Sequence, residues 1–230
     1  MLGKTEGSGA VAVGTARNLV ILGAGGHAVS VAGVAISAGF SIVCFVDPLK
    51  APTELLGTPV RAEIPGMSVR EPISIAIAIG DNFSRQALRD TLGGLPEHFD
   101  FPVIAHSSAV VSHFSRVGAG TVLMPGSVIG PNSQVGAFCI VNTGASLDHD
   151  SAMKDFASLA PGAVTGGGVE IGFRSAVGIG TAIKQRVVIG DDAVVGAKSY
   201  LNQNLPSGVV AYGSPARIIR TRSPGAPYLN

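Results

Sequence analysis

The chain has 230 residues and a net charge of +1, with 46% hydrophobic and only 13% charged residues. This composition excludes the basic surface that nucleic-acid-binding proteins need, and two cysteines are too few for a disulfide framework. The length allows one large domain or two small ones. We expect a cytoplasmic protein in which Cys44 and Cys139 are buried free thiols.

The N-terminal part begins with a Gly- and Ala-rich segment, residues 1–17, which we expect to be a flexible leader without a signal peptide. Residues 18–46 then contain no Asp, Glu, Lys or Arg, a length that could suggest a membrane span. Glycines and His27 interrupt this run, so that it divides into a strand, a glycine turn, a helix ending at Gly39 and a second strand. We therefore predict no membrane segment.

Residues 18–106 predict a short, mostly parallel α/β sheet of the nucleotide-binding kind. After a polar stretch that contains prolines, a third strand is expected in ISIAIAIGDN, a second helix over FSRQALRDTL and a fourth strand near FPVIA. The turn GAGGHA, residues 23–28, lies between strand and helix, where backbone N–H groups favour phosphate. Asp47 ends the second strand, where a dinucleotide fold has its ribose-binding acid. Two features argue against NAD binding. This part has only half the length of a full dinucleotide-binding fold, and Ala28 stands where the glycine motif requires a third glycine.

A period of six residues dominates the second half of the chain. Fifteen residues recur at every sixth position without an insertion, and all but Thr165 are aliphatic. They are Val117, Leu123, Ile129, Val135, Val141, Leu147, Met153, Leu159, Thr165, Ile171, Val177, Ile183, Ile189, Val195 and Leu201. A period of six fits neither an amphipathic helix nor a half-buried strand, so each hexad predicts one flat side of a solenoid.

Three sides close a triangular coil of eighteen residues, and residues 107–205 are the expected solenoid. The position four residues after each aliphatic is mostly small, which suits an inward-facing corner. Glycine often follows the aliphatic directly, as Gly118 and Gly130 do, and we expect a tight turn there. Residues 206–230 leave the pattern and predict an extended cap with a loose end at residues 223–230.

The hexads resemble the left-handed parallel β-helix of hexapeptide-repeat acyltransferases. More closely, the opening VILGAGGHA, the stretch VNTGASLDHDSAMKDFASLAPGAVTGGGVEIG and the ending GSPAR are similar to bacterial sugar acetyltransferases of the PglD and NeuD type. This resemblance covers residues 18–220. It implies an α/β domain followed by a left-handed β-helix, acetyl-CoA as co-substrate, no metal, and a homotrimer with active sites between subunits in polysaccharide biosynthesis. It also implies that one set of residues holds a nucleotide-linked sugar: Gly25, Gly26, His27, Asp47, Gly80, Asp81 and Asn82.

His149 is the candidate general base. It is the only histidine among the hexads, it takes an outward-facing position, and Asp148 and Asp150 flank it. An exposed imidazole beside a carboxylate can accept a proton near neutral pH. The resemblance implies the base at this turn with an acid next to it, here Asp150, which is shorter than the glutamate of some relatives. The sequence leaves open whether Asp148 or Asp150 is the partner.

Gly166, Gly167 and Gly168 follow His149 by almost one eighteen-residue coil, so we expect their backbone beside the histidine. Backbone N–H groups stabilise oxyanions well, and the resemblance favours Gly167 as the donor to the thioester carbonyl. Thr165, the one position of the six-residue series that is not aliphatic, directly precedes these glycines and is expected near the acyl group. Ser158, a further candidate contact of coenzyme A, is expected in the same neighbourhood, where some relatives have a second histidine.

Coenzyme A is expected in the groove between neighbouring solenoids, with its pantetheine arm along coil backbones such as Gly178 and Ile179. Lys184, Lys198 and Arg217 are the candidate cations for its phosphates. Cys139 faces inward on this pattern, which argues against an acyl-cysteine intermediate.

The leading hypothesis is therefore N-acetylation of a nucleotide-linked 4-amino-4,6-dideoxyhexose with His149 as base. O-acetylation of a sialic-acid-type sugar is the alternative with the same motifs. A metal-dependent β-helix hydratase would need several histidine ligands, and beyond His149 only His106 and His113 lie near the hexads. A third class, a nucleotide-sugar-binding protein without catalysis, also stays open.

Overall fold

A computed structural model describes residues 17–65, 73–94 and 99–228. It shows a short α/β sheet followed by a β-solenoid, which confirms the fold class expected from the sequence. The predicted leader lies outside the described residues, apart from Arg17, which begins the first strand.

The N-terminal sheet has six strands around a parallel centre, in the order β3-β4-β2-β1-β5-β6. Its elements are β1 (Arg17–Leu22), α1 (Gly26–Ser37), β2 (Phe40–Val46), β3 (Thr53–Leu55), β4 (Thr58–Arg61), β5 (Ile73–Ile77), α2 (Asn82–Gly93) and β6 (Phe99–Asp100). The antiparallel β3–β4 hairpin was not expected, because its Leu56–Gly57 turn lies in a polar stretch without alternation. The chain crosses from one side of β1 to the other between β2 and β5. A ligand crevice is therefore expected beyond the carboxyl end of β1.

The solenoid has three faces of short strands, and the parallel strands of residues 104–201 each pair with the strand eighteen residues along. The first face contains β7 (Ile104–Ala105), β10 (Val122–Leu123), β13 (Ile140–Val141), β16 (Ser158–Leu159), β19 (Ala176–Val177), β22 (Val194–Val195), β24 (Val209–Gly213) and β25 (Ala216–Thr221). The second face contains β8 (Val110–Val111), β11 (Val128–Ile129), β14 (Ser146–Leu147), β17 (Val164–Thr165), β20 (Ala182–Ile183) and β23 (Tyr200–Leu201). The third face contains β9 (Arg116–Val117), β12 (Gln134–Val135), β15 (Ala152–Met153), β18 (Glu170–Ile171) and β21 (Val188–Ile189).

The six-residue period describes the core. Every residue of the fifteen-member series is buried except Val117, which is partly buried, and the small residues four positions later are buried as well. The strand predicted near FPVIA is replaced by two short strands, one in each part of the fold. Phe99–Asp100, just before this segment, pairs with β5, while Ile104–Ala105 already pairs with β10 of the solenoid, before the boundary expected at residue 106.

The glycines that directly follow the aliphatic positions are needed for a different reason from the one expected. None of them has a positive φ; the left-handed residues lie two positions further on, as at Gly120, Asn132 and Asp150. A Cβ at Gly118 would instead lie 2.6 Å from the backbone of Ala137, one coil later, and one at Gly130 would lie 2.7 Å from the backbone nitrogen of His149. Close approach of the next coil, rather than turn conformation, therefore requires glycine.

The N-terminal part packs on the first face and on the corner between the third and first faces. Apolar residues of α1 and β1 share a cluster with Ile104, Val122 and Met124 of the solenoid. At the corner, Phe138 and Phe156 stack with ring centroids 5.2 Å apart and pack with apolar residues of β5. The second face and the corner between the second and third faces lie away from this contact.

The C-terminal segment is packed, contrary to the loose end expected. β24 pairs in parallel with β22, and β25 returns antiparallel to it as a cap. The Tyr228 hydroxyl accepts a hydrogen bond from the backbone nitrogen of Asn82 at 3.1 Å, and Arg222 lies over the Tyr228 ring. The segment around Tyr228 is thus fastened to the start of α2, which composition alone does not reveal.

Candidate active site

His149 stands at the corner between the second and third faces, in the turn that follows β14. Its Nδ1 lies 2.7 Å from Asp150 Oδ2, and Asp150 Oδ1 accepts a hydrogen bond from Asn132 Nδ2 at 2.6 Å. Asp148 bonds to the backbone rather than to the ring: its Oδ1 accepts from the backbone nitrogen of His149 at 2.7 Å. Asp150 therefore reaches the imidazole despite its short side chain, helped by a left-handed backbone with φ of 54°.

The electrostatics of this turn favour a basic imidazole. The hydrogen bond to Asp150 raises the pKa of His149 above its ordinary value, and the charge of Asp148 adds to this effect. The hydrogen bonds from Asn132 and His149 lower the pKa of Asp150, which keeps it ionised. Because Asp150 engages Nδ1, the exposed Nε2 is the nitrogen free to exchange a proton with a ligand.

Gly167 lies directly under the imidazole, as the eighteen-residue coil predicts. A Cβ at Gly167 would overlap His149 Cε1 and Nε2, so only glycine leaves room for the ring. The neighbouring Gly168 donates its N–H to the His149 carbonyl at 2.8 Å. Within the described parts of the chain, the Gly167 N–H has no protein acceptor. The site thus pairs an exposed base with a free backbone donor.

The two helix N-termini of the α/β part differ in what they offer an anion. The N-cap of α1 is Gly25, which provides no side-chain hydrogen bond, and open space surrounds Gly25 and Gly26. The N-cap of α2 is Asp81, whose carboxylate accepts from the backbone and hydroxyl of Ser84, both at 2.8 Å. The first turn of α1 therefore has free N–H groups for a phosphate, whereas the first turn of α2 already has an anion.

Asp47 connects the glycine turn to the end of β2. Its carboxylate accepts from the backbone nitrogens of Ala24 at 3.2 Å and Leu49 at 3.1 Å, while Lys50 Nζ donates to the Ala24 carbonyl at 2.8 Å. Beside it opens a cavity of about 900 Å³ at the carboxyl ends of β1 and β2. Its lining is mainly apolar and includes Gly23, Asp47, Glu63, Ile79, Leu88 and Phe99. A cavity of this size suits a nucleoside.

His27 is the second residue of α1, next to the open glycines. Burial, together with the nearby positive charge of Arg85, lowers its pKa to about 4, so the imidazole is neutral. Its Nε2 is buried and makes no hydrogen bond within the described residues. A buried polar atom without a partner is costly, so this nitrogen is a candidate for a contact with a bound ligand.

The GDN turn, predicted to bind substrate, instead joins the two parts of the molecule. Asn82 is fully buried, and its Nδ2 donates to Ser158 Oγ and to the carbonyls of Arg174 and Ser175 at 3.1–3.2 Å. The Gly80 carbonyl accepts from Arg85 at 3.1 Å, and Asp81 is the helix cap. These three residues are thus occupied by protein contacts, because α2 begins against the solenoid rather than at an open crevice.

Ser158 is likewise not where the sequence placed it. It belongs to the first face and accepts from Asn82, whereas His149 stands at the opposite corner. The eighteen-residue spacing predicts which residues stack, but Ser158 is nine residues from His149 and thus lies half a coil away. Its small side chain provides the space that Asn82 fills.

The candidate coenzyme A residues border the second face on its two sides. Lys184 stands at the His149 corner, whereas Gly178, Ile179 and Lys198 stand at the corner with the first face. Ile179 is 55% exposed, and both lysines are exposed and make no ion pair within the described residues. Arg217 is exposed on β25, and one of its N–H groups donates to the Ala216 carbonyl at 3.0 Å. The candidate coenzyme A residues therefore lie at three separate places: the two corners of the second face and the C-terminal cap.

Two further observations concern metals and membranes. In residues 17–65, 73–94 and 99–228, no three His, Cys, Asp or Glu side chains are grouped so as to hold a metal ion. No helix in the same residues has the length and apolar character required to cross a membrane.

Comparison with known proteins agrees with this geometry. Residues 18–92 match the model of the PglD N-terminal domain. GDP-perosamine N-acetyltransferase of Escherichia coli O157:H7 is 30% identical over 153 residues, covering 64% of this chain and 68% of that protein. The chain belongs to the PglD-type sugar acetyltransferases.

Solved structures of this family superpose on nearly the whole fold. The acetyltransferase domain of PglB from Neisseria gonorrhoeae has a TM-score of 0.82 and 30% identity, covering 88% of this chain and all of that one. A histidine-to-alanine variant of GDP-perosamine N-acetyltransferase from Caulobacter crescentus, in complex with CoA and GDP-perosamine, has a TM-score of 0.80 and 33% identity over 88% of this chain and 97% of that one.

In this PglD-type enzyme, the sequence analysis did not identify two residues that make important side-chain hydrogen bonds, Asn132 and Arg85. Asn132 precedes Asp150 by eighteen residues, so the coil length was a signal that could have identified it. Arg85 is 1% exposed, and its five N–H groups donate to the carbonyls of Ile79, Gly80, Phe138 and Phe156 and to Asn82 Oδ1. No local pattern predicts such non-local partners.

Burial raises the pKa of the Cys139 thiol to about 12, which agrees with an inert inward cysteine.

Proposed function

We propose that the protein transfers the acetyl group of acetyl-CoA to the amino group of a nucleotide-linked 4-amino-4,6-dideoxyhexose. The observation that carries this proposal is the His149–Asp150 pair above the Gly167 N–H, which has no acceptor among the residues that the structure describes. Related proteins support it, because the Caulobacter crescentus enzyme is an N-acetyltransferase with CoA and GDP-perosamine bound.

In the proposed mechanism, the amine attacks the thioester carbonyl carbon directly while His149 Nε2 accepts a proton from the nitrogen. The imidazolium that forms is stabilised by Asp150, which Asn132 holds in place. The Gly167 N–H donates to the oxyanion of the tetrahedral intermediate. Collapse of this intermediate breaks the carbon–sulfur bond, and His149 returns the proton to the departing CoA sulfur. The products are an N-acetyl sugar and CoA.

The proposed nucleotide site is the crevice at the carboxyl end of the N-terminal sheet. The free N–H groups at Gly25 and Gly26 suit the diphosphate, and His27 Nε2 is available as a further contact. Asp47 and the adjoining cavity of about 900 Å³ are proposed to receive the nucleoside.

Coenzyme A is proposed to bind in the groove between neighbouring solenoids at the border of the second face, with its pantetheine arm near Gly178 and Ile179. Lys184, Lys198 and Arg217 are the proposed partners of its phosphates. No metal is required, because a backbone N–H takes the role of electrophile. We further propose that the reaction takes place in the cytoplasm as a step of polysaccharide biosynthesis.

A homotrimer is proposed because one chain cannot complete the site alone. The nucleotide crevice belongs to the part that covers the first face, whereas His149 stands at the corner opposite this face. The second face is uncovered and presents Val110, Val128 and Val164, which are 54%, 36% and 42% exposed. A neighbouring copy against this apolar surface would bring its own nucleotide crevice toward His149.

The test is CoA release from acetyl-CoA with GDP-, UDP- and dTDP-linked 4-amino-4,6-dideoxyhexoses, followed by mass analysis of the sugar. We expect an acetyl group on nitrogen and loss of at least about 10²-fold in kcat for His149→Asn. His113→Asn is the matched control, since His113 occupies the same exposed corner two coils earlier and should leave kcat unchanged. Full turnover by His149→Asn would refute the catalytic assignment, and acetylation of oxygen on a sialic-acid-type sugar would replace the substrate class.

A further inference from the structure

The ladder of backbone hydrogen bonds on the second face has one irregular step, and it occurs at the His149 turn. After most strands of this face, the backbone N–H donates to the carbonyl seventeen residues later: Ser112 to Ile129, Gly130 to Leu147, Gly166 to Ile183 and Lys184 to Leu201, at 2.7–3.1 Å. The Asp148 N–H donates instead to the hydroxyl oxygen of Thr165, at 2.9 Å. A side chain thus takes the place of the regular backbone acceptor.

Strand pairing changes at the same step. β11–β14 and β17–β20 each pair at two positions, whereas β14–β17 pairs only at Ser146 and Val164. Thr165 is the single polar residue of the fifteen-member series and is 8% exposed. A buried hydroxyl costs free energy unless it is hydrogen-bonded, and the hydroxyl of Thr165 is bonded to the Asp148 N–H.

From these contacts we propose that Thr165 is a positioning residue for the transfer reaction. Its hydroxyl anchors the first residue of the Asp148–His149–Asp150 turn from inside the solenoid and thereby holds the imidazole over Gly167. The effect of Thr165 on catalysis rests on the proposed function, whereas its anchoring of the turn is independent of that function.

Further contacts transmit the anchor to the ring. The Asp148 side chain accepts from the His149 N–H at 2.7 Å, and Gly168 donates to the His149 carbonyl at 2.8 Å. Both bonds constrain the peptide that carries the imidazole. An aliphatic residue at position 165 would fill the core but leave the Asp148 N–H without its present acceptor. The turn would then shift to recover a hydrogen bond.

The experiment compares Thr165→Val, which keeps the shape without the acceptor, with Thr165→Ser, which keeps the acceptor. The first readout is the NMR titration of the His149 imidazole, identified by its absence in His149→Asn. The charged groups near this ring are Asp148 and Asp150 in its own turn, with Lys184 and Arg186 two coils below. A shifted turn weakens the contact with Asp150, so the pKa of His149 should fall toward its ordinary value in Thr165→Val and return in Thr165→Ser.

The second readout is the split between kcat and KM. Thr165→Val should lower kcat about 10-fold and leave the KM for acetyl-CoA unchanged, because binding groups elsewhere are intact. Thr121→Val is the matched control: Thr121 is a buried solenoid threonine whose hydroxyl likewise accepts a backbone N–H, from Cys139 at 3.0 Å, but at another corner. It should leave both the His149 titration and kcat as in the wild type.

A wild-type titration and kcat in Thr165→Val, or equal losses in the valine and serine variants, would overturn the proposal. Thr165→Ala also lacks the acceptor and replaces the valine variant if that one fails to fold. Absence of acetyl transfer by the wild-type protein would refute the proposed function instead, and the titration, which needs no substrate, would still decide the role of Thr165.

Discussion

Two corners of the same solenoid use the same backbone for different purposes. Phe156 and Asp150 occupy equivalent hexad positions, with φ of 60° and 54° in the left-handed region. At the corner between the third and first faces, Phe156 stacks on Phe138 and supports the N-terminal part. At the corner between the second and third faces, Asp150 holds His149 in solvent. The coil therefore fixes where side chains stand, and their chemistry decides whether a corner supports structure or function.

This comparison predicts that the two corners respond separately to substitution. Arg85→Leu should have the largest effect, which is on stability. It removes donors from the carbonyls of Phe138 and Phe156 and should lower the free energy of unfolding by about 3–5 kcal/mol. Chemical denaturation measures this change. Arg89→Leu is the control, because Arg89 is half-exposed with a weak ion pair to Asp90. An unchanged unfolding midpoint in Arg85→Leu would show that the corner is not braced by this residue.

Gly167→Ala should show the opposite pattern at the His149 corner. The added methyl group overlaps the imidazole and displaces it from the backbone donor, so kcat should fall about 10²-fold or more. Gly167 has no positive φ, so alanine fits its backbone and the thermal midpoint should change little. Steady-state CoA release and thermal unfolding measure the two quantities. Normal turnover would mean that the imidazole does not work from this position.

Asp150→Asn should change the pH dependence with a smaller loss of rate. His149 must be unprotonated to accept a proton, so kcat/KM falls as the pH decreases through its pKa, which Asp150 raises. Removing the carboxylate should move this fall to lower pH and lower kcat about 10-fold, because the remaining base is weaker. Asp148→Asn should shift the profile less, since Asp148 bonds to the backbone nitrogen and not to the ring. If kcat/KM of Asp150→Asn falls at the same acidic pH as in the wild type, Asp150 does not set the pKa of His149.

The smallest expected effect is a gain in stability far from both corners. Gly33 lies exposed within α1, with no positive φ and no atom within 4 Å of an added Cβ. Gly33→Ala should therefore stabilise the protein by about 0.5–1 kcal/mol through higher helix propensity. Thermal unfolding measures the gain, and CoA release should be unchanged. A loss of stability would point to an unseen constraint on this surface of the helix.

The sequence predicts the solenoid well because its contacts are periodic. One eighteen-residue coil relates His149 to Gly167, and Asn132 to Asp150, so stacked neighbours can be counted along the chain. The contacts between the two parts have no such period. Arg85 meets Phe138 and Phe156, 53 and 71 residues away, so nothing local distinguishes the GDN turn from a substrate loop. The spacing also shows which coil lies below a residue but not which atom accepts its hydrogen bond, and this is why the role of Thr165 could not be read from the pattern.

The C-terminal hairpin has a consequence for behaviour at high concentration. A stack of parallel strands ends in unpaired backbone groups, which could pair with the end of a second stack and extend into a fibre. Here β25 folds back antiparallel on β24 and forms the last strand of the first face. Its exposed residues include Arg217 and Arg220, so like charges would meet if two such edges approached. On the first face, the repeating stack of strands therefore ends in a charged antiparallel strand that disfavours end-to-end growth.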